Sequence, residues 1–116
     1  VKIGHAKGDE NSNARGGEAG DQTGREVMIQ NWYIREGGWT VYLEPTDDEI
    51  AARAVANMIE ICNDDSFGYD QDQRWTAWTA IKSAGDIADA TPSEVDCSSV
   101  VDIAYLLAGL SVVAGS

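Results

Sequence analysis

Residues 94–101 read Glu-Val-Asp-Cys-Ser-Ser-Val-Val, an acid, a thiol and two hydroxyls set directly before an apolar run. Asp96 has the chemistry of a helix N-cap, accepting from backbone N–H groups that lack partners inside the helix. Cys97 then falls in the first helical turn, where those N–H groups and the helix dipole favour a thiolate over a thiol. A thiolate attacks carbonyl carbon, so acyl transfer is the chemistry this stretch could perform. The adjacent carboxylate works the other way, and the helix terminus together with a histidinium must outweigh it. The alternative is a small packed cysteine, because free thiols are among the most buried side chains.

His5 is the single histidine and therefore the candidate base. It follows Gly4 in a short apolar segment and serves only if it reaches the sulfur at hydrogen-bond distance. Otherwise it is a solvated or core-edge side chain. It has no second histidine beside it, and Cys62 and Cys97 stand 35 positions apart, so no zinc spacing exists. Asp9-Glu10-Asn11-Ser12-Asn13 has the look of a calcium loop, but Ala14 and Gly20 occupy the positions where an EF-hand needs Gly and Glu. The glycines at 16, 17, 20 and 24 precede neither a Lys-Ser/Thr pair nor a helix, which excludes a phosphate cradle. No metal and no cofactor are expected. Cys62, four residues after Met58, reads as a packed thiol; a bridge from it to Cys97 would remove the nucleophile.

The elements that must position these residues follow from pattern. Residues 1–6 are a short apolar segment. Residues 7–24 are Gly-, Asp- and Asn-rich without apolar period and read as a long loop. Residues 26–44 alternate with period two about Gly37-Gly38 and read as a hairpin. A helix is expected over 47–62, capped by Asp47 or Asp48, with Ile50, Ala54, Met58 and Cys62 at i+4 and Ala51, Val55 and Ile59 beside them. A second is expected over 70–84, with Gly85 as its stop, and a third over 97–108, with Val100, Val101, Ala104, Leu107 and Ala108 inward. Trp32, Trp39, Trp75 and Trp78 are many for this length. Core is the better reading for most, while Trp32 or Trp39 could line a groove. Strands followed by segregated helices make the fold α+β.

The 116 residues carry 8 Lys+Arg against 20 Asp+Glu, a net charge of −12. Nucleic acids and anionic membranes both require basic patches, so neither is an expected partner. No apolar run is long enough to span a bilayer. A hydrophobic fraction of 43% excludes a disordered acidic tail.

Asp96-Cys97-Ser98-Ser99-Val100-Val101 resembles the Asp-Cys-Ser-Gly/Ser-hydrophobic-Val signature of NlpC-type cell-wall cysteine peptidases, of the papain-like superfamily. The segments IGHA, DEN, AGDQTGREV, NWY, GWTVYL, GYDQDQR and DCSSVV are similar, in this order, to phage-lysin-like proteins that carry such a domain. The resemblance spans most of residues 3–108. It implies a papain-like α+β fold with an N-terminal hairpin and three helices. It implies a peptidoglycan hydrolase of phage endolysin or tail-lysin type, a cysteine endopeptidase that cleaves stem peptides through an acyl-enzyme on Cys97. Carried over, Cys97 is the nucleophile, and Asp96 and Ser98 hold the stem peptide, the Asp toward its free amine. Tyr69 is the aromatic residue near the nucleophile. The setting would be the bacterial cell wall, reached by secretion or phage delivery.

The family places its catalytic histidine well after the cysteine, at the start of a sheet strand, and this chain has none in the 19 residues that follow Cys97. Two readings stay open. In one, residues 1–116 are the N-terminal part of the peptidase domain, with an incomplete sheet, and a C-terminal segment or second chain supplies the histidine. The apolar tail 110–116 favours that reading. In the other, the chain is one whole domain and His5 is the base, as in circularly permuted relatives. A non-catalytic cell-wall binding module and one half of a cleaved two-chain lysin are the alternatives to an enzyme.

Overall fold

The computed structural model describes residues 1–33, 37–38 and 44–110. The order is β1 (Lys2–Ala6), β2 (Val27–Asn31), α1 (Asp48–Cys62), β3 (Phe67–Tyr69), a 3₁₀ turn (Gln71–Gln73), α2 (Thr76–Ala84), β4 (Ser93–Val95) and α3 (Ser99–Leu107). The α+β class and the three helices agree with the sequence expectation. The structure adds a strand pairing that the sequence did not reveal. β2 pairs antiparallel with β1, Gly4 opposite Ile29 and His5 opposite Met28. Residues 39–43, the expected second strand of the hairpin, lie outside the described residues.

α1 starts where Asp47 Oδ1 accepts from Glu49 N and Ile50 N at 2.9 and 3.1 Å, and Asp48 and Glu49 complement the dipole in its first turn. Its buried residues are Ala54, Ile61 and Cys62. Val55 and Ile59, expected beside the buried stripe, are exposed, because a helix packed on one side has room for a narrower apolar face than its sequence carries. Val101 of α3, expected inward, is exposed for the same reason. α1 packs along α3, and Asn57 Nδ2 and Arg53 Nη1 donate to the Ala104 and Ala108 carbonyls near its C-terminal end. Those carbonyls lack partners inside the helix or have one to spare.

Two short strands appear where turns were expected. β3 and β4 run parallel, Phe67 opposite Ser93 and Tyr69 opposite Val95. A parallel pair requires a crossover, and α2 supplies it. α2 is also shorter than the expected 70–84 helix. Asp70 caps a 3₁₀ turn through Asp72 N at 2.9 Å, and the α-helix begins only at Thr76. Gly85 ends it at φ 90°, a left-handed conformation that glycine adopts without steric cost. Phe67, Val95, Val100 and Ile103 are fully buried between this unit and α1, each worth about 1.5–3 kcal/mol of burial. Trp75 and Trp78 pack against that core, while Trp32 is half exposed.

The long loop that joins β1 to β2 is held by its own acids. Asp9 Oδ1 accepts from Asn11 N and Asn13 N. Asp21 accepts from Thr23 N and Gly24 N through Oδ1, and from Glu26 N and Val27 N through Oδ2. Three backbone bonds then dock the loop on the β3–β4 unit: Gly20 N to Ser93 O, Asp21 N to Asp65 O, and Gln71 N to Ala14 O. The approach is close. A Cβ on Gly17 would lie 2.5 Å from the Tyr69 carbonyl oxygen, and one on Gly68 would collide with the Gly20 backbone. Neither neighbour can rotate away, unlike the Met58 side chain that a Cβ on Gly4 would meet. Gly68→Ala is therefore expected to lower the thermal midpoint more than Gly4→Ala, by a cost of about 1–3 kcal/mol. Equal midpoints for the two variants would show that the loop is not seated this tightly.

Beneath the loop lies a cluster of acids. Glu94 stands on β4 opposite Gly68 and is 1% exposed, with both carboxyl oxygens unpartnered. Glu26, also 1% exposed, accepts from Tyr69 N and Gln22 N. Burial pushes Glu94 up to about 8, helped by the charges of Glu26, Asp70, Glu10 and Asp9. Burial likewise pushes Glu26 up to about 7, against the pull of its two backbone N–H donors, with Asp21 adding to the rise. Among the described residues, no three His, Cys, Asp or Glu side chains converge as a metal-ligand set. Both acids therefore hold protons in the folded state that the unfolded chain releases near 4.5. Their contribution is fully present below that value and is lost as pH rises through 7 to 8. Thermal midpoints measured from pH 5 to 9 should fall with rising pH, by a few kcal/mol of stability. Glu94→Gln should flatten the fall, and a slope identical in the variant would exclude Glu94 as its source.

Candidate functional site

The C-terminal ends of β3 and β4 lie side by side, and each delivers one part of the site. β3 ends in Tyr69 and β4 leads through Asp96 into Cys97. The turn at 96–99 is fastened reciprocally. Asp96 Oδ1 accepts from Ser98 N at 3.2 Å and Ser99 N at 2.8 Å, while Ser99 Oγ accepts from Asp96 N at 2.8 Å. Val100 N then bonds the Asp96 carbonyl at 3.2 Å. This is a capping box with Ser in place of the usual Glu or Gln. Asp96 is thus the expected cap, although the regular helix starts two residues later than expected, at Ser99. Cys97 sits in the capped turn, exposed and free of any disulfide.

Cys97 and Tyr69 come together. The Tyr69 phenol is pushed up by burial, then by the charges of Cys97 and Asp96 and by a side-chain hydrogen bond with Cys97, against the opposing bond from Gln71. Gln71 Nε2 donates to the Tyr69 hydroxyl at 3.1 Å. Ser98 Oγ donates to Asp96 Oδ1 at 3.1 Å. The other oxygen of Asp96 faces Arg74, with Nη1 to Oδ2 at 3.4 Å. Asp102, one turn further along α3, is held up by burial, while Arg74 pulls it down and Asp96 pushes it up. Arg74 also lies 5.7 Å over the Trp75 ring. An arginine thus acts on two buried acids, Asp96 and Asp102.

His5 is placed elsewhere. Its Nε2 pairs with Gln30 Oε1 at 2.8 Å, and its ring lies 6.1 Å from that of Tyr33. No hydrogen bond joins His5 to Cys97 among the described residues. The His5 backbone instead bonds the Cys62 thiol, which burial pushes up to about 11. Cys62 is the packed thiol the sequence suggested.

Of the expected site residues, the structure brings Asp96, Cys97, Ser98 and Tyr69 together and sets His5 apart on the β1–β2 pair. Ser99, Arg74 and Gln71 were not read from sequence. The Asp-x-x-Ser spacing could have revealed Ser99 as the reciprocal cap. Nothing in the pattern marks Arg74 or Gln71, because their contacts cross between elements.

Neither a curated protein nor a solved structure matches the chain. A family described as the Endolysin-like domain matches residues 3–115, nearly the whole length. The match spans the loop, the thiol turn and all three helices, and on it the chain belongs to the Endolysin-like domain family.

Proposed function

We propose that this chain acts on bacterial peptidoglycan as a lysin-type cysteine peptidase of papain-like kind, with Cys97 as nucleophile. The supporting observation is the exposed, unbridged Cys97 at the capped start of α3, in a chain of the Endolysin-like domain family. In this reading the Cys97 sulfur attacks the carbonyl carbon of a stem-peptide amide. The amide nitrogen leaves with a proton, and water then hydrolyses the acyl-enzyme. Ser98 N–H and Ser99 N–H are committed to Asp96, so the Cys97 N–H is the donor of this turn left for the developing oxyanion. Asp96 orients that turn, and the cap and Arg74 occupy its oxygens. Tyr69 and Ser98 flank the path of the peptide. The proton carrier is an imidazole, either His5 after leaving Gln30 or one brought by a C-terminal segment or a second chain.

A second reading has its own support. The partnership of His5 with Gln30 fits a wall-binding module that keeps the fold without turnover. The two separate in one assay. Clearing of purified peptidoglycan should fall more than ~100-fold in Cys97→Ala, the scale expected for loss of a nucleophile. Undiminished clearing in that variant would overturn the cysteine mechanism. In the same assay, His5→Ala distinguishes the bases: a loss as deep as that of Cys97→Ala assigns the proton to His5, and full activity assigns it to an imidazole outside residues 1–116.

A further inference from the structure

Most basic side chains of this acidic protein have partners. Lys2 bonds Asn31, Arg15 pairs with Asp72, Arg53 with Glu49, and Arg74 with Asp96, while Lys82 lies over Trp78. Lys7 and Arg25 are the exceptions among the described residues: neither side chain has an ion pair, hydrogen bond or ring partner. The chain carries 20 acidic residues, yet none of the described ones pairs with either cation. Lys7 and Arg25 border the same cavity, of about 810 Å³, where the loop leaves β1 and rejoins β2. Lys7 N bonds the Glu26 carbonyl at 2.9 Å, so the backbones that carry Lys7 and Arg25 run together at that junction. Ser12 and Thr23 add hydroxyls, and Met28 forms an apolar wall. Asp9 also lines the cavity, but its Oδ1 is taken by Asn11 N and Asn13 N. Glu10 lines it too, and its Oε2 is buried without a hydrogen-bond partner.

We propose that this cavity is a binding subsite for a peptide bearing free carboxylates, with Lys7 and Arg25 as its charge-reading residues. Two cations without partners on the wall of one cavity offer a carboxylate charge-assisted hydrogen bonds from either side chain. The volume falls within the range of small-ligand sites. The position suits an extended substrate. Gly17 of the same loop abuts both Asp9 of the cavity and the carbonyl of Tyr69, whose hydroxyl meets Cys97. A peptide of several residues can thus lie along the loop with its carboxylates in the cavity and an amide toward the thiol. The choice of an acidic stem peptide as occupant rests on the proposed function; the anion-binding character of the cavity does not.

The test uses Cys97→Ala protein and the tripeptide L-alanyl-γ-D-glutamyl-L-lysine, offered with a free or an amidated glutamyl carboxylate. Calorimetric titration should show the free acid binding at least ~10-fold more tightly than the amide, an advantage of about 1.4 kcal/mol. Lys7→Glu/Arg25→Glu should abolish the difference. Both positions are exposed, and an unchanged thermal midpoint in the double variant checks that it folds. Equal binding of acid and amide, or a double variant that still prefers the acid, would overturn the subsite. The peptidase reading is judged separately by wall clearing with and without Cys97. Preferential binding of the free acid without any clearing leaves the subsite in place, so the two readings fail separately.

Discussion

One hydrogen-bonded exchange holds the candidate site together: Asp96 receives the Ser98 and Ser99 N–H groups, and Ser99 returns the favour to Asp96 N. Cys97 lies between the two partners of this exchange, so its backbone has little freedom. The exchange works because Asp96 and Ser99 are both buried, where an unmade hydrogen bond costs about 1–3 kcal/mol. Arg74 completes it by pairing with the remaining carboxylate oxygen from outside α3. The thiol is therefore exposed on a rigid mount, a combination that a merely packed cysteine would not show.

The mount rests in turn on a loop that is ordered despite its composition. A stretch of Gly, Asp and Asn has no apolar face with which to bind the rest of the molecule. It substitutes carboxylates, which gather the backbone N–H groups a strand would otherwise satisfy. Asp21 alone takes four of them. The glycines let the backbone come within contact of β3, where any side chain would intrude. Acid and glycine thus play the parts that aliphatic side chains play elsewhere in the fold.

Much of this was legible in the residues. The caps at Asp47 and Asp96, the stop at Gly85 and the packed Cys62 are local signals, set by chemistry within four residues of one another. β3 and β4 were not legible, because three-residue strands carry too few alternations to show a period. Their Glu94 and Gly68 look like loop residues until their partners are known. The pairing of His5 with Gln30 was equally hidden, since the contact between two chain-remote side chains depends on how every element between them packs. The β1–β2 pairing was missed because the Gly37-Gly38 turn signal drew Val27–Asn31 toward its neighbour in sequence, whereas its partner β1 precedes the long loop.

The bond from Tyr69 N to Glu26 crosses 43 positions of sequence, and that from Gly20 to Ser93 crosses more. A growing chain leaving the ribosome cannot complete the second until β4 has emerged, by which time β1, the loop and α1 have long been available. Local contacts form early and distant ones late. The thiol turn, whose bonds span only two or three positions, can therefore form early, while the seating of the loop on the strand that leads into it comes late.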